Sequence, residues 1–273
     1  MPRFYYEPSE KQGNRIVMTG EDVNHIKNVL RSRVGDTFTL CDGMGTDCEA
    51  RITDLSERNS VTFEVLSEKP SDTELPVRIV LYQGIPKKDK MELIIQKAVE
   101  LGASEIVPVA MKRCIAKIED DRAEEKKNLR WQEIARAAAK QSGRGIIPVV
   151  QKSMSFKNAL ERAAGEGKNS GGEPANAGFI CMPYENAEGM KSLSDLIDKV
   201  KACVKQCAAD GKTHGVCAAV SVFIGPEGGI DPAEVETALS KGVSTVSLGK
   251  RILRTETAGL TTLSILMYEL EKM

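Results

Sequence analysis

The amino-acid sequence predicts an α/β protein in which a small, mostly β region precedes a larger domain built on a parallel sheet. Up to about residue 67, short apolar stretches alternate with turn signals, a pattern typical of β structure. From Val77 onward, strand-like apolar runs alternate with helical segments, which favours a parallel α/β sheet. Residues 67–76 are polar, carry two prolines and lack periodicity, so we expect a linker there. We therefore place two domains at 1–70 and 76–273.

The N-terminal region contains two clear strand candidates and one helix candidate. The strands are residues 38–40 and 61–65, which lie next to turn residues. A helix is predicted over residues 21–30. Four apolar residues would share one face of this helix: Val23, Ile26, Val29 and Leu30.

Arg31 and Arg33 follow directly after this predicted helix. Cations at that place interact favourably with the negative end of the helix dipole. They would equally suit contacts to nucleic-acid phosphates. The residues themselves leave both interpretations open.

Strands and helices alternate through the larger domain. The predicted strands are residues 77–82, 106–109, 146–150, 179–182, 216–224 and 243–248. The predicted helices are residues 89–101, 120–142, 193–209, one that starts at Pro232 and a last one after Arg254. Residues 165–178 are rich in Gly, Asn, Ser, Ala and Glu, so we expect a flexible surface loop without chemistry there.

The last predicted helix carries an apolar stripe at helical spacing. Its members are Gly259, Leu263, Leu266 and Leu270. The stripe would either pack on the sheet of its own domain or supply an interface to a second subunit.

The overall charge does not indicate a nucleic-acid-binding protein. Hydrophobic residues make up 41% and charged residues 28% of the chain, and the net charge is −1. The first 70 residues hold nine Lys/Arg against 12 Asp/Glu, a local net charge of −3. Any contact to RNA must therefore come from local basic clusters.

Cysteine and histidine usage argues against a disulfide framework and against a metal site. The seven cysteines are an odd number, none has C-x-x-C spacing, and there are only two histidines. Cys203 and Cys207 lie four apart without a second ligand pair, so we expect reduced thiols and no metal. No signal peptide or membrane-spanning run is recognisable, and we expect a soluble, cytoplasmic protein without a membrane partner.

Two glycine-containing turns, each at the end of a predicted strand, mark the candidate ligand site. The first is Gly225-Pro226-Glu227-Gly228-Gly229, and a helix start with Asp231 as N-cap follows it. The second begins at Gly249. Strand ends of open α/β sheets bind ligands, and glycine lets backbone approach them closely. Ordinary turns remain the alternative, whereas a phosphate loop and a dinucleotide fingerprint are excluded by sequence.

Basic residues form two further groups in the larger domain. Lys87, Lys88 and Lys90 lie in the turn after the first strand, and Arg136, Lys140 and Arg144 are spaced by four along the long helix and its exit. A solvated helix face is the competing explanation for such a row. The lone Trp131 fits core packing better than base stacking, which needs exposed aromatic rings.

The segments IGPEGG and LGKRILRTETA resemble the signature of the RsmE family of ribosomal RNA methyltransferases. Further matches are PRFYY, HIKNVLRSRVGD, KKDKMELIIQKAVELGASEIVPV and RWQEIARAAAKQSGR. The resemblance therefore spans nearly the whole chain.

This resemblance implies both a fold and an activity. The implied fold is a SPOUT-like parallel sheet with a C-terminal trefoil knot over 76–273, preceded by a PUA-like RNA-binding β-barrel over 1–70. The implied reaction moves a methyl group from S-adenosylmethionine (SAM) to N3 of a uridine in 16S rRNA. The implied enzyme is a homodimer that acts on this RNA within the assembled 30S subunit. The alternatives are a SPOUT methyltransferase for another RNA site and an RNA-binding assembly factor without catalysis.

The resemblance also implies site residues. The SAM pocket would be formed by Met182, Pro183, Ile224, Gly225, Pro226, Glu227, Gly228, Gly229, Leu248, Gly249, Ile252 and Leu253. We expect Arg254 to stabilise a deprotonated uracil and Glu256, or water held by it, to accept the proton; a structural pair at the helix start is the alternative. The candidates for RNA contact are Arg3, Arg31, Arg33, Lys87, Lys88, Lys90, Arg136, Lys140 and Arg144.

Overall fold

A computed structural model describes residues 3–115, 120–165, 177–185, 191–209 and 218–273. The chain forms two compact units. The N-terminal unit comprises Met1–Glu74 and Ala139–Ile147, and the C-terminal unit comprises Leu75–Ala138 and Pro148–Met273. No helix in the described parts of the chain is both long and apolar enough to cross a membrane. Most of the predicted loop at 165–178 lies outside the described residues.

The N-terminal unit is organised around a curled sheet of six strands. The strands are β1 (Arg3–Tyr5), β2 (Lys11–Gln12), β3 (Arg15–Thr19), β4 (Thr37–Cys41), β5 (Thr46–Asp54) and β6 (Ser60–Pro70). Their order is β1-β4-β5-β6-β3-β2, with only β1 and β4 parallel among the described pairs. Register shifts in β5 at Glu49/Ala50 and Ile52/Asp54 add local twist, as bulges do.

The helix predicted at 21–30 is shorter and less regular than expected. Only α1 (Glu21–Asn24) is α-helical, and a π-helical turn, His25–Val29, follows it. In this turn the Leu30 N–H donates to the His25 carbonyl, five residues back. The wider turn rotates Val29 away from the predicted face, and it is 63% exposed. The prediction of a four-residue apolar face was therefore wrong in its second half.

The C-terminal unit contains the predicted parallel sheet. Its strands are β7 (Arg78–Gly84), β8 (Glu105–Ala110), β9 (Val149–Val150), β10 (Met154–Ser155), β11 (Ala177–Pro183), β12 (Ala218–Ile224) and β13 (Ser244–Val246). The order is β10-β8-β7-β12-β11-β13, β9 also pairs with β8, and all described pairs are parallel. Every residue of β12 is buried, as its uninterrupted apolar sequence predicts for a central parallel strand.

Six helices of the described chain accompany this sheet. They are α2 (Lys90–Glu100), α3 (Asp121–Ser142), α4 (Phe156–Gly165), α5 (Lys191–Ala209), α6 (Pro232–Ser240) and α7 (Thr255–Leu270). The sequence did not predict α4. The strand predicted at 146–150 shrinks to β9, because Pro148 has no N–H for a ladder and the Ile147 N–H donates to the Gly43 carbonyl instead.

The core beneath the site is aromatic. Tyr82 of β7 and Phe223 of β12 stack with ring centroids 4.4 Å apart, and Phe156 meets Phe223 edge-on at 6.0 Å. Leu263, Leu266 and Leu270 of α7 are buried, and α7 packs against α2 and β12. The apolar stripe therefore packs within its own unit. The trefoil knot stays a prediction.

Candidate active site

Two of the three glycines in the turn after β12 are required for different reasons. A Cβ on Gly225 would lie only 2.7 Å from Cγ1 of Ile230, so close packing within the turn requires glycine there. Gly229 has φ +72°, a left-handed conformation that glycine adopts without strain. Asp231 then caps α6 through a capping box with Glu234, which confirms the predicted helix start.

Gly228 has a structural role that differs from the predicted one. A Cβ there would lie 3.1 Å from the Arg113 Cβ and 3.2 Å from the Arg113 carbonyl oxygen. The Arg113 guanidinium also donates to the Gly228 carbonyl at 3.1 Å. Gly228 is therefore small because it packs against Arg113, and close approach of a ligand is not needed to explain it.

The second turn leads from β13 to α7. Gly249 has φ +112° and so requires glycine, and its N–H donates to the Ser247 hydroxyl at 3.3 Å. Ile252 is 83% exposed, an unusual position for a large apolar side chain. Arg254 has extended backbone and is the N-cap residue of α7.

A cavity of about 650 Å³, counting its part open to solvent, lies where the two turns meet α7. Eight of the residues assigned to the SAM pocket line it: Pro183, Ile224, Gly225, Gly229, Leu248, Gly249, Ile252 and Leu253. The cavity forms at the C-terminal ends of neighbouring strands, where parallel α/β sheets bind their ligands.

Four residues assigned to the pocket do not line this cavity. Met182 is completely buried and belongs to the core, while the next residue of β11, Pro183, reaches the cavity. Pro226, Glu227 and Gly228 form the part of the turn that lies outside it.

Sequence reasoning missed about half of the lining. The additional residues are Tyr184, Glu185, Ile230, Ser247, Arg251, Thr255 and Ala258. Most directly adjoin a predicted residue, so extending each predicted turn by one or two positions would have found them. Thr255 and Ala258 occupy the first turn of α7, and only the position of that helix brings them to the cavity.

A buried hydrogen-bond network joins the cavity to β7. The amide nitrogen of Gln83, which is completely buried, donates to the Gly84 carbonyl and to the Thr255 hydroxyl, both at 2.9 Å. The Thr255 hydroxyl donates in turn to the Gly225 carbonyl at 2.6 Å. The network thus links the glycine turn that begins at Gly225 to Thr255, the first residue of α7.

Arg254 and Glu256 flank the cavity on α7. Arg254 is exposed, lies between the lining residues Leu253 and Thr255, and makes no side-chain ion pair among the described residues. Glu256 is largely shielded, with 17% of its side chain exposed, and one of its oxygens lies 3.3 Å from the Lys90 ammonium. The guanidinium is therefore available to a ligand, whereas the carboxylate is held by Lys90.

Lys90 connects two carboxylates at this edge of the sheet. Its ammonium lies 3.1 Å from Glu227 as well as 3.3 Å from Glu256, and the hydrogen bond with Glu227 raises the pKa of Lys90. Burial raises the pKa of Glu227, but hydrogen bonds from backbone N–H groups and from Lys90 outweigh it and lower that pKa. The Lys90 ammonium therefore has intramolecular partners, and its contact with RNA stays a prediction.

The other RNA candidates differ in their availability. Arg3 bonds Asp47 at 2.5 Å and Ser71 at 3.2 Å, and Arg144 is 4% exposed and paired with Glu74. Both guanidinium groups therefore have partners inside the N-terminal unit, and their contact with RNA stays a prediction. Lys140 pairs with Asp22, and Arg136 is half-buried.

Besides Lys140, four RNA candidates present exposed side chains. They are Arg31, Arg33, Lys87 and Lys88. Arg31 and Lys88 have positive φ angles of 52° and 56°, which are uncommon outside glycine. Within the described parts of the chain, no group of three or more His, Cys, Asp and Glu residues could hold a metal ion.

Comparison with known proteins places this site in a family. A family model described as "RNA methyltransferase domain" matches residues 73–267, and one described as "RNA methyltransferase PUA domain" matches residues 18–66. The ribosomal RNA small subunit methyltransferase E of Bacillus subtilis is 32% identical over 99% of this chain and 98% of its own length. The chain belongs to the ribosomal RNA small subunit methyltransferase E family. The resemblance seen in IGPEGG and LGKRILRTETA is thereby confirmed.

Two further members of the methyltransferase E family support the same conclusion. The Aquifex aeolicus protein is 30% identical over 97% of this chain and 98% of its own length. The crystal structure of the Neisseria gonorrhoeae protein, described as bound to SAM, is 33% identical with a TM-score of 0.72, covering 98% of this chain and 97% of that one. The agreement extends over both units.

Proposed function

We propose that this protein transfers the methyl group of SAM to N3 of a uridine in 16S rRNA. The observation that carries the proposal is the cavity between the two glycine turns, with the exposed Arg254 at its edge. Family membership supports it, because the relatives are named as methyltransferases of small-subunit ribosomal RNA. SAM, when bound, supplies an electrophilic methyl group on a sulfonium.

The residues of the cavity suit SAM. Ile224, Leu248 and Leu253 provide apolar walls for a planar base, and the glycine turns bring backbone donors and acceptors near its polar edge. Glu185 adds a carboxylate to the lining, which favours a ligand that carries positive charge.

Arg254 is proposed to stabilise the deprotonated acceptor. Uracil N3 lies on the pairing edge, so the base must be unpaired or flipped out before it reacts. Loss of the N3 proton spreads negative charge over the nitrogen and the two neighbouring oxygens, and a guanidinium offers planar donors that match this group. Arg254 remains charged at any working pH, which suits a stabiliser and excludes it as the base.

Glu256 is proposed to take the N3 proton, directly or through water. Lys90 holds its carboxylate near the beginning of α7, next to the residue that would contact the base. General base catalysis of this kind typically contributes about 10²–10⁴-fold to a rate. The competing role is a structural ion pair, and in that case Glu256→Gln would lower the melting temperature and leave the rate of transfer unchanged.

The two predicted domains are proposed to have different functions. Residues 1–70 would bind RNA through Arg31 and Arg33, and residues 76–273 would bind SAM and carry out the transfer, with Lys87 and Lys88 as further phosphate contacts. We also propose a homodimer that acts in the cytoplasm on 16S rRNA within the assembled 30S subunit. Sedimentation of the active enzyme as a 29.7 kDa species would contradict the dimer.

Methylation of 30S particles from a strain that lacks this enzyme tests the proposed function. The particles are incubated with purified protein and SAM, and the modified nucleotide is mapped by mass spectrometry. We expect one uridine of 16S rRNA to gain one methyl group on N3. A methyl group on another base or another RNA would favour a different target, and binding of the particles without transfer would favour an assembly factor.

A further inference from the structure

Three segments far apart in the sequence meet below the cavity. Gln83 lies near the end of β7, Gly225 directly follows β12, and Thr255 is the first residue of α7. Gln83 and Thr255 are 0% and 6% exposed, so water does not compete for their hydrogen bonds. The bonds between them therefore form a direct polar link between the sheet and both sides of the cavity.

The direction of each hydrogen bond in this network follows from its chemistry. The Thr255 hydroxyl has one proton and gives it to the Gly225 carbonyl, so it must accept from Gln83. The Gln83 amide can serve because its nitrogen has two protons, and the second goes to the Gly84 carbonyl. A side chain without an N–H donor at position 83 could not complete this arrangement.

Gln83 is not explained by stability alone. Its side-chain oxygen is buried and has no hydrogen-bond partner among the residues that the structure describes, which is unfavourable in a dry interior. An apolar side chain of similar size would avoid that unpaired oxygen. The glutamine is therefore best explained by what its nitrogen does, which is to hold Thr255.

The surroundings of the network leave little room for adjustment. A Cβ on Gly84 would lie 2.8 Å from the ring of Pro226, which belongs to the glycine turn after β12. A Cβ on Gly259, one turn further along α7, would lie 3.6 Å from the Gln83 oxygen. Because β7, the turn and α7 are in such close contact, a change at Thr255 displaces the cavity wall directly.

We propose that Gln83 and Thr255 are positioning residues that fix the separation between the first glycine turn and the beginning of α7. Gly225 and Thr255 both line the cavity, and Arg254 directly precedes Thr255. The network therefore sets both the width of the SAM site and the direction from which Arg254 approaches the uridine. This inference rests on the proposed function and adds two residues that act on its site through hydrogen bonds.

Thr255→Val tests the inference, because valine keeps the shape of threonine and removes the hydroxyl. Thr262→Val is the matched control: Thr262 is also buried in α7, and its hydroxyl donates to the Ala258 carbonyl of the same helix at 2.8 Å. SAM affinity is measured by calorimetry without RNA, and the melting temperature by calorimetric unfolding. We expect SAM to bind about tenfold more weakly to Thr255→Val and with wild-type affinity to Thr262→Val.

Two more variants separate positioning from stability. Thr255→Ser keeps the hydroxyl and should retain wild-type SAM affinity even if its melting temperature falls. Gln83→Met should weaken SAM binding, and combining it with Thr255→Val should add little, because the two residues act as one unit. If Thr255→Val does not fold, the SAM affinity of Gln83→Met tests the positioning role instead.

The outcomes distinguish this inference from the proposed function. If wild-type protein binds SAM and methylates 30S particles while Thr255→Val and Gln83→Met bind SAM normally, the positioning role is wrong and the proposed function stands. If Thr255→Val and Thr262→Val lose affinity equally, the effect is general destabilisation and the inference is also wrong. If the wild-type protein itself does not bind SAM, the proposed function fails.

Discussion

Replacement of Arg254 by alanine should separate catalysis from stability. The Arg254 side chain is exposed, caps no backbone group of α7 and forms no ion pair among the described residues. Its removal should therefore change the free energy of unfolding by no more than about 0.5 kcal/mol. Loss of one donor to a developing anion costs about 2.7–4 kcal/mol of transition-state stabilisation, or roughly 10²–10³-fold in rate.

The assay is a single-turnover methyl transfer on 30S particles with saturating SAM. Arg254→Ala should react about 10²–10³-fold more slowly while its melting temperature and SAM affinity stay near wild type. Arg254→Lys should recover little, because a single ammonium does not provide the planar pair of donors. Lys250→Ala, which removes an exposed cation from the same turn outside the cavity lining, should react normally.

A near-normal rate for Arg254→Ala would refute this reasoning, and a different residue would then stabilise the deprotonated uracil. A slow rate accompanied by a large fall in melting temperature would also refute it, since Arg254 forms neither an ion pair nor a side-chain capping bond within the described parts of the chain.

Three further predictions follow from other parts of the molecule. Gly225→Ala should weaken SAM binding about tenfold or more, because its Cβ would lie 2.7 Å from a side chain of the same turn; calorimetry measures this. Double replacement of Arg31 and Arg33 by alanine should weaken RNA binding and flatten its salt dependence, measured by filter binding, without changing SAM affinity. Hydrogen bonds from Lys201 and Lys272 lower the pKa of Glu269 to about 2. The ionised carboxylate therefore stabilises the fold above its unfolded pKa, and this stability should be lost as the pH falls from 4.5 towards 2. Thermal unfolding at several pH values measures the loss.

Each of these predictions has a matched control. Gly165→Ala replaces a glycine that has nothing within 4 Å of its Cβ position and no left-handed backbone, and SAM affinity should not change. Arg58→Ala removes an exposed arginine of the N-terminal unit, and the salt dependence of RNA binding should remain. Glu269→Gln should remove its part of the acid sensitivity, whereas Glu271→Gln should retain it. Equal behaviour of a variant and its control would count against the prediction concerned.

The sequence predicted those features that depend on neighbouring residues. The apolar run 216–224 led to the central strand β12, and Asp231, Pro232 and Glu234 led to the start of α6. The glycine turns were found for the same reason, because a turn that needs left-handed backbone needs glycine locally. The parallel sheet followed from the alternation of such local elements.

Features that depend on distant contacts could not be predicted. Gln83 and Thr255 are 172 positions apart, and no local pattern shows that one holds the other. Lys90 belonged to a basic cluster in the sequence, and only the fold brings Glu227 and Glu256 to it. Gly228 was likewise predicted to approach a ligand, whereas the residue that it packs against, Arg113, lies 115 positions away in the chain.

A crystal structure of this protein with SAM is the most direct test of where SAM binds and how it is oriented. We expect SAM to occupy the cavity between the two glycine turns, with its base against Ile224, Leu248 and Leu253 and its methyl group on the side of Arg254. Well-defined SAM bound elsewhere, or bound in this cavity with its methyl group turned away from Arg254, would contradict the proposed site.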